Sequence, residues 1–364
     1  MPKLIKPFLY PVWLIYSSII FIRNRLFDYK VFKSFEFHLP VISVGNITVG
    51  GTGKTPHVEY LIRLLNKEYK LAFLSRGYKR KTKDFIVATE QSSAITIGDE
   101  PLQIKRKFPD MIVAVDRKRV NGINKLIANV PDLDIIVLDD AYQHRSVSPG
   151  INILLIDYNR PLKGDSLLPL GHLREPVSEK KRADIIIVTK VPKDISAMDK
   201  RILLLNVDAK SYQKVYFSTI TYGELKPVFN AYSMASKPSL DKKKKYSVLL
   251  VTGIADPSVL INHFKPVSKE IISVRYPDHY SFTQKDVTSI IEKYNAIPGE
   301  DKIIVTTEKD AVRLIFYDAP ENMPDAWYYV PIEIEFLTNE GEQFNHQILH
   351  YVKNNNKNSI LYKK

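Results

Sequence analysis

The sequence predicts an α/β protein in which a mainly parallel sheet is flanked by helices and a second, smaller α/β domain follows. Three observations carry this prediction. Apolar runs at residues 41–44, 71–74, 112–115, 135–138, 151–156 and 185–188 alternate with amphipathic or polar stretches of helical length. The runs are continuous, as suits strands buried on both faces, and the stretches between them are long enough for crossover helices. A shorter series, 248–252, 271–274 and 303–306 with helical stretches at 257–264 and 283–294, repeats the pattern. The first run also feeds a glycine-rich turn, the usual junction of a strand with a phosphate-facing helix.

Taken in chain order, the first element is apolar. Residues 7–22 carry no charge and lie between Lys3 and Lys6 on one side and Arg23 and Arg25 on the other. This run of 16 residues is interrupted by Pro11, and it falls short of the ~20 that a helix needs to cross hydrocarbon. Phe8, Trp13, Tyr16 and Phe21 between basic flanks suit the headgroup boundary of an anionic leaflet. Residues 1–35 are therefore expected to form a membrane-associating helix, peripheral or monotopic, with a buried core helix as the alternative.

The strand at 41–44 runs into Gly45-Asn46-Ile47-Thr48-Val49-Gly50-Gly51-Thr52-Gly53-Lys54-Thr55-Pro56. It reads as a phosphate-binding loop, which makes the expected sheet P-loop NTPase-like. Gly50, Gly51 and Gly53 admit backbone conformations closed to other residues, so successive N–H groups can wrap a polyphosphate. Thr48, Val49, Gly50, Gly51, Thr52, Gly53, Lys54 and Thr55 are the expected nucleotide-binding residues, with Lys54 on the β and γ phosphates and the Thr55 hydroxyl on Mg²⁺. Pro56 fits the first helical turn. In the pattern G-x-x-x-x-G-K-[ST] the first glycine falls on Thr48.

Acids follow where ligands bind, at the C-terminal tips of parallel strands. The run 134–138 ends in Asp139-Asp140, and Asp139 is expected to hold Mg²⁺ opposite Thr55. Gln143, His144 and Arg145 lie just beyond and are candidates to face the acceptor. Gly98-Asp99-Glu100-Pro101 suits a helix cap, yet a kinase also needs a carboxylate for the substrate's proton and another for the metal. Asp99 is the candidate base and Glu100 a candidate metal ligand. Residues 171–176 read as a turn in which Arg174 can grip a phosphate. His279 is either structural or, if the domains close on one cleft, a partner for a catalytic carboxylate. Residues 306–310 end a strand as a helix cap or a cleft wall.

A chain of 364 residues suits about two domains. The absence of cysteine excludes disulfides, thiolate metal sites and cysteine nucleophiles. A net charge of +13 favours an anionic partner, which by charge alone means nucleic acid, an acidic bilayer or a phosphorylated substrate. The expected organisation is the helix at 1–35, a P-loop kinase domain at 36–220, a linker at 221–245, a smaller α/β domain at 246–350 and a polar tail at 351–364.

Together the segments at 43–56, 74–78, 98–101, 139–144, 171–176, 277–280 and 306–313 resemble the tetraacyldisaccharide 4′-kinase family of lipid A biosynthesis, in family order. The chain departs from the family's usual pattern at Ala141-Tyr142, where Gly-Phe is frequent, and at Tyr280, where a second His is frequent. The resemblance implies an ATP- and Mg²⁺-dependent enzyme at the cytoplasmic face of the bacterial inner membrane. It would phosphorylate the 4′-hydroxyl of a lipid-linked disaccharide monophosphate, with an anionic membrane surface as partner and no nucleic acid. It implies Asp99 as general base oriented or tuned by His279, Lys54 on the nucleotide, and Thr55, Glu100 and Asp139 on Mg²⁺. Arg117, Asp140, Gln143, His144, Arg174 and Glu175 would line the acceptor pocket. Two other readings compete. A basic P-loop ATPase acting on nucleic acid leaves the apolar N-terminus unexplained. A GTP-dependent switch or metallochaperone needs a guanine-reading Asn-Lys-x-Asp, of which Thr189-Lys190-Val191-Pro192-Lys193-Asp194 is a loose echo.

Overall fold

A computed structural model describes residues 6–229, 244–254, 257–278, 280–314 and 326–362; His279 lies outside the described residues. The chain forms two compact units, Met1–Ile220 with Ile334–Lys364, and Thr221–Glu333.

The first unit runs α1 (Lys6–Asp28), β1 (Val41–Gly45), α2 (Lys54–Leu65), β2 (Leu71–Ser75), β3 (Ile86–Val87), α3 (Ala94–Ile97), α4 (Asp99–Lys107), β4 (Ile112–Val115), α5 (Arg119–Asn129), β5 (Ile135–Asp139), β6 (Ile151–Asp157), a 3-10 turn (Val177–Arg182), β7 (Ile185–Thr189), α6 (Ala197–Val207) and β8 (Lys214–Tyr222). The second comprises β9 (Lys226–Pro227), β10 (Tyr246–Thr252), α7 (Ser258–Phe264), β11 (Ser268–Arg275), α8 (Gln284–Ala296), β12 (Lys302–Thr307), α9 (Glu308–Leu314) and β13 (Trp327–Val330). The chain then returns to the first sheet as β14 (Ile332–Phe336) and α10 (Glu340–Tyr362).

The larger sheet has the order β14-β8-β7-β6-β1-β5-β2-β4-β3. Its pairs from β8 through β4 are parallel, and β3 closes the edge antiparallel to β4. Every residue of β1, β2, β5, β6 and β7 is buried, which is why these strands read as unbroken apolar runs. The chain leaves β1 toward β2 on one side and later places β6 on the other, so β1 is a topological switch point, with the crevice at its C-terminal end. The smaller sheet has the order β11-β10-β12-β13-β9 and is parallel except for β9.

Three segments differ from expectation. Residues 226–227, expected in the linker, form β9 and pair antiparallel with β13 at the edge of the smaller sheet. Residues 334–350, expected in the smaller domain, belong to the first unit. Phe344, Ile348 and Val352 form a buried stripe along α10, and the rings of Phe336 and Phe344 pack on Tyr60 and Tyr216. Residues 351–362, expected as a polar tail, continue that helix.

α1 is not a core helix. Its polar side faces the protein: Tyr16 donates to Arg174 O at 2.9 Å, Arg23 reaches Gln143 O, and Arg145 donates to Asn24 O at 3.0 Å and to Asp28 at 2.6 Å. Its apolar side, Phe8, Val12, Leu14, Ile15, Ile19 and Ile22, is exposed, Phe8 to 82%. Among the described residues no helix is long and apolar enough to cross a membrane.

Candidate nucleotide and acceptor site

The site is built at the C-terminal edge of β1 and β5. Leaving β1, the chain passes through Asn46, which is fully buried and acts as a hub. Its side-chain amide donates to Thr52 Oγ1 at 2.9 Å, its Oδ1 accepts from Lys54 Nζ at 3.4 Å, and its carbonyl accepts from Gln143 Nε2 at 2.7 Å. Gly50 and Gly53 take φ of 101° and 83°, the left-handed region that a side chain opposes, and Gly53 directly precedes α2. A Cβ at Gly50 would also stand 2.6 Å from Arg160 Nη1, so an arginine from the loop after β6 lies over the turn. The first limb of the turn pairs with the segment around Arg174: Val49 N–H donates to His172 O at 2.8 Å and Arg174 N–H to Ile47 O at 2.7 Å.

β5 delivers the acids. Asp140, in a left-handed conformation (φ 46°), receives Arg174 Nη1 at 3.2 and 3.1 Å on its two oxygens and lies 3.5 Å from Lys54 Nζ. Burial alone would raise its carboxyl, but Lys54 and Arg174 outweigh burial and hold it below the ordinary carboxylate range. Asp139 goes the other way. Burial first, then the Asp140 charge and that of Glu100, push it up to about 7 against the pull of Lys54 and Arg119. Its Oδ2 is 3.4 Å from the Ser75 hydroxyl, and its buried Oδ1 accepts no hydrogen bond among the described residues.

That orphaned oxygen fits a cation. Among the described residues no group of three or more His, Asp or Glu side chains is gathered to hold a metal by protein ligands alone. Mg²⁺ suits such a setting, since it commonly takes one or two carboxylates and completes its shell with water and phosphate. Asp139, Thr55 and Glu100 are the residues that would hold it. Asp99 and Glu100 open α4, whose preceding Gly98 approaches the Gly77 backbone so closely that a Cβ would stand 3.1 Å from it.

The remaining expected residues divide. Gln143 and His144 lie beside Asp140, and burial, then Arg119 and Arg76, lowers the His144 imidazole to about 4, leaving it neutral at pH 7. Arg174 is committed to Asp140. Glu175 is fully buried in an ion cluster with Arg182 and, at 3.7 Å, Arg23. It ties α1 to the site. Arg117 is exposed just beyond β4. Sequence reasoning missed Asn46, Arg160 and Arg119. Arg119 is buried, donates to Asp116 O at 2.6 Å and to Asp139 O at 3.1 Å, and is lowered by burial to about 10. A buried arginine at the start of a helix gives no periodic signal, and only the fold brings it under Asp139.

Residues 5–353 match the sequence model of the tetraacyldisaccharide-1-P 4′-kinase family. The tetraacyldisaccharide 4′-kinase of Phocaeicola vulgatus is 50% identical over 358 residues, covering 98% of this chain and 97% of the relative. That of Bacteroides thetaiotaomicron is 45% identical over 362 residues, covering 98% and 95%. The crystal structure of LpxK from Aquifex aeolicus in complex with ATP superposes with a TM-score of 0.71 at 26% identity, covering 96% of this chain and 99% of that one. With the glycine-rich turn, the paired acids and the parallel sheet in place, the chain belongs to the tetraacyldisaccharide 4′-kinase family and is a kinase.

Proposed function

We propose that this protein transfers the γ-phosphoryl group of ATP to the 4′-hydroxyl of a tetraacyldisaccharide 1-phosphate in lipid A biosynthesis. The observation that carries the reading is the placing of Lys54 on a glycine-rich turn, 3.5 Å from Asp140 and next to Asp139 with its unpartnered oxygen. When nucleotide binds, Lys54 leaves Asn46 and Asp140 for the β and γ phosphates, and N–H groups of the glycine-rich turn at the start of α2 face them. Mg²⁺, held by Asp139, Thr55 and Glu100, would neutralise phosphate charge.

Asp99 takes the proton of the 4′-hydroxyl as its oxygen bonds to the γ-phosphorus; the bond to the bridging oxygen breaks and ADP departs. His279 orients Asp99 or adjusts its basicity. Arg117, Asp140, Gln143, His144, Arg174 and Glu175 shape the acceptor side. Gln143, neutral His144 and Arg117 are the members that can meet the sugar phosphate directly, whereas Arg174 and Glu175 act by holding Asp140 and α1.

The exposed apolar side of α1 rests in the cytoplasmic leaflet of the bacterial inner membrane, so the acyl chains stay in lipid while the sugar reaches the site. The kinase domain comprises 36–220 together with 334–362, and the smaller α/β domain 221–333.

Incubation of the purified protein with Mg·ATP and tetraacyldisaccharide 1-phosphate is expected to give a product heavier by one phosphoryl group, and His279→Ala to lower kcat with the KM for ATP retained. A wild-type protein that hydrolyses ATP without modifying the lipid would sink the proposal. In flotation with phosphatidylglycerol-containing vesicles, the Leu14→Glu/Ile15→Glu double variant is expected to stay in the aqueous fraction; equal flotation of variant and wild type would remove α1 as the anchor.

A further inference from the structure

Thr189 ends β7 and Lys190 follows it, in the segment that loosely echoes a guanine-reading motif, but Pro192 occupies the place of that motif's aspartate. Both side chains reach the phosphate-binding turn, Thr189 Oγ1 with Ile156 O at 3.3 Å as a second, longer acceptor. Thr189 Oγ1 donates to Thr52 O at 3.0 Å, and Lys190 Nζ donates to Gly51 O and to Asp157 Oδ2, each at 2.6 Å. Asp157 is buried at the end of β6 and also accepts Asn159 N–H at 2.9 Å, so the carboxylate is a fixed anchor for the ammonium. Lys190 holds a φ of 60°, a left-handed conformation that a lysine keeps only where its surroundings enforce it.

Two consecutive carbonyls of the turn are thus gripped from the β7 side. In a planar trans peptide the C=O and the following N–H point to opposite sides. Holding Gly51 O and Thr52 O toward β7 therefore turns the N–H groups of Thr52 and Gly53 away from it. The Thr52 N–H closes on Gly50 O at 3.1 Å and tightens the curve. From the other flank Arg160 lies over Gly50.

We propose that Thr189 and Lys190 are positioning residues that brace the phosphate-binding turn and set its affinity for the nucleotide's polyphosphate, with no part in reading the base. The inference rests on the nucleotide-site reading above. Such a brace acts alike on ground state and transition state, so its loss raises KM and leaves kcat.

The test compares wild type, Lys54→Ala, Lys190→Met, Lys190→Arg and Thr189→Val by calorimetry with Mg·ADP and Mg·ATP, steady-state kinetics and thermal unfolding. Lys190→Met is expected to weaken ADP and ATP and raise the KM for ATP by about tenfold, the loss of one charge-assisted hydrogen bond. Its kcat at saturating ATP stays near wild type, Lys190→Arg recovers most of the affinity, and Thr189→Val falls between. Should Lys190→Met unfold, Lys190→Arg and Thr189→Val decide by the same affinities. Wild-type affinity in a folded Lys190→Met or Thr189→Val, or a fall in kcat with KM unchanged, overturns the brace. Failure of wild type to bind ATP, or equal binding by Lys54→Ala, overturns the nucleotide site itself.

Discussion

Each unit buries an aspartate where a parallel strand runs out, Asp139 at the end of β5 and Asp310 shortly after β12. Burial pushes both carboxyls up. Two donors close Asp310 Oδ2, Gly253 N–H at 2.9 Å and the Thr307 hydroxyl at 2.6 Å; its Oδ1 accepts no hydrogen bond among the described residues, as in Asp139, but faces the Arg313 guanidinium at 3.7 Å. Thr307 in turn accepts Asp310 N–H at 3.1 Å, which makes the pair a cap for α9. Asp139 has the Ser75 hydroxyl at 3.4 Å, an oxygen with no donor, and two further carboxylates near enough to raise it. The difference teaches how one residue type serves two ends. Two short donors and a facing guanidinium settle a carboxylate that has only to hold the chain, while one long donor and two neighbouring carboxylates leave a place that a cation stabilises.

Variants at the open edge should have the largest effects. Asp99→Ala is expected to lower turnover by ~10²–10⁴, the usual contribution of a positioned base, with ATP affinity kept. Unchanged turnover would remove it as the base. Asp139→Asn is expected to cost ~10²–10³ in kcat without loss of thermal stability, since a neutral amide relieves the crowding of charge. A marked drop in melting temperature with little change in kcat would make Asp139 a second Asp310. For Asp310→Asn the expectation is reversed: about 1–3 kcal/mol of stability lost in urea unfolding, as Gly253 N–H, the Thr307 hydroxyl and Arg313 lose a charged partner for a neutral amide, with ATP affinity intact.

The last expected effect is one of pH, and at pH 7 it vanishes. His57, on α2 behind the turn, lies 2.7 Å from Gly53 O through Nδ1 and 2.9 Å from the Ser218 hydroxyl through Nε2, and burial lowers its pKa from 6.5 to about 4. Between those values the unfolded chain binds the proton and the folded one does not. The stability from the neutral ring is therefore complete above pH 6.5 and is lost as pH falls toward 4. The melting temperature should decline over that window more steeply in wild type than in His57→Gln. Equal slopes would show that the ring charges without penalty.

The closed and open regions were not equally legible in the sequence. The strands of both sheets stand out because full burial demands unbroken apolar runs, and Gly50 to Thr55 because only a glycine-rich turn before Lys-Thr suits a phosphate. Asp139 announces itself by ending such a run. The partners that make the site are another matter. Asn46 reads as a turn residue until Gln143, distant in sequence, meets its carbonyl. Glu175 reads as a ligand for substrate until Arg23 and Arg182 enclose it. The return of 334–362 to the first sheet is hidden because an apolar stripe says which face of a helix is buried, not which sheet covers it. α1 showed its apolar character but not that its polar side faces inward.

The most direct measurement is a crystal structure with a non-hydrolysable ATP analogue and Mn²⁺ in place of Mg²⁺, with the metal located by anomalous scattering. The account predicts a metal peak bound to Asp139 Oδ1, with Lys54 moved from Asp140 to the triphosphate in the turn at 48–55. A triphosphate lodged elsewhere, or a metal peak that leaves Asp139 Oδ1 unpartnered, would contradict it.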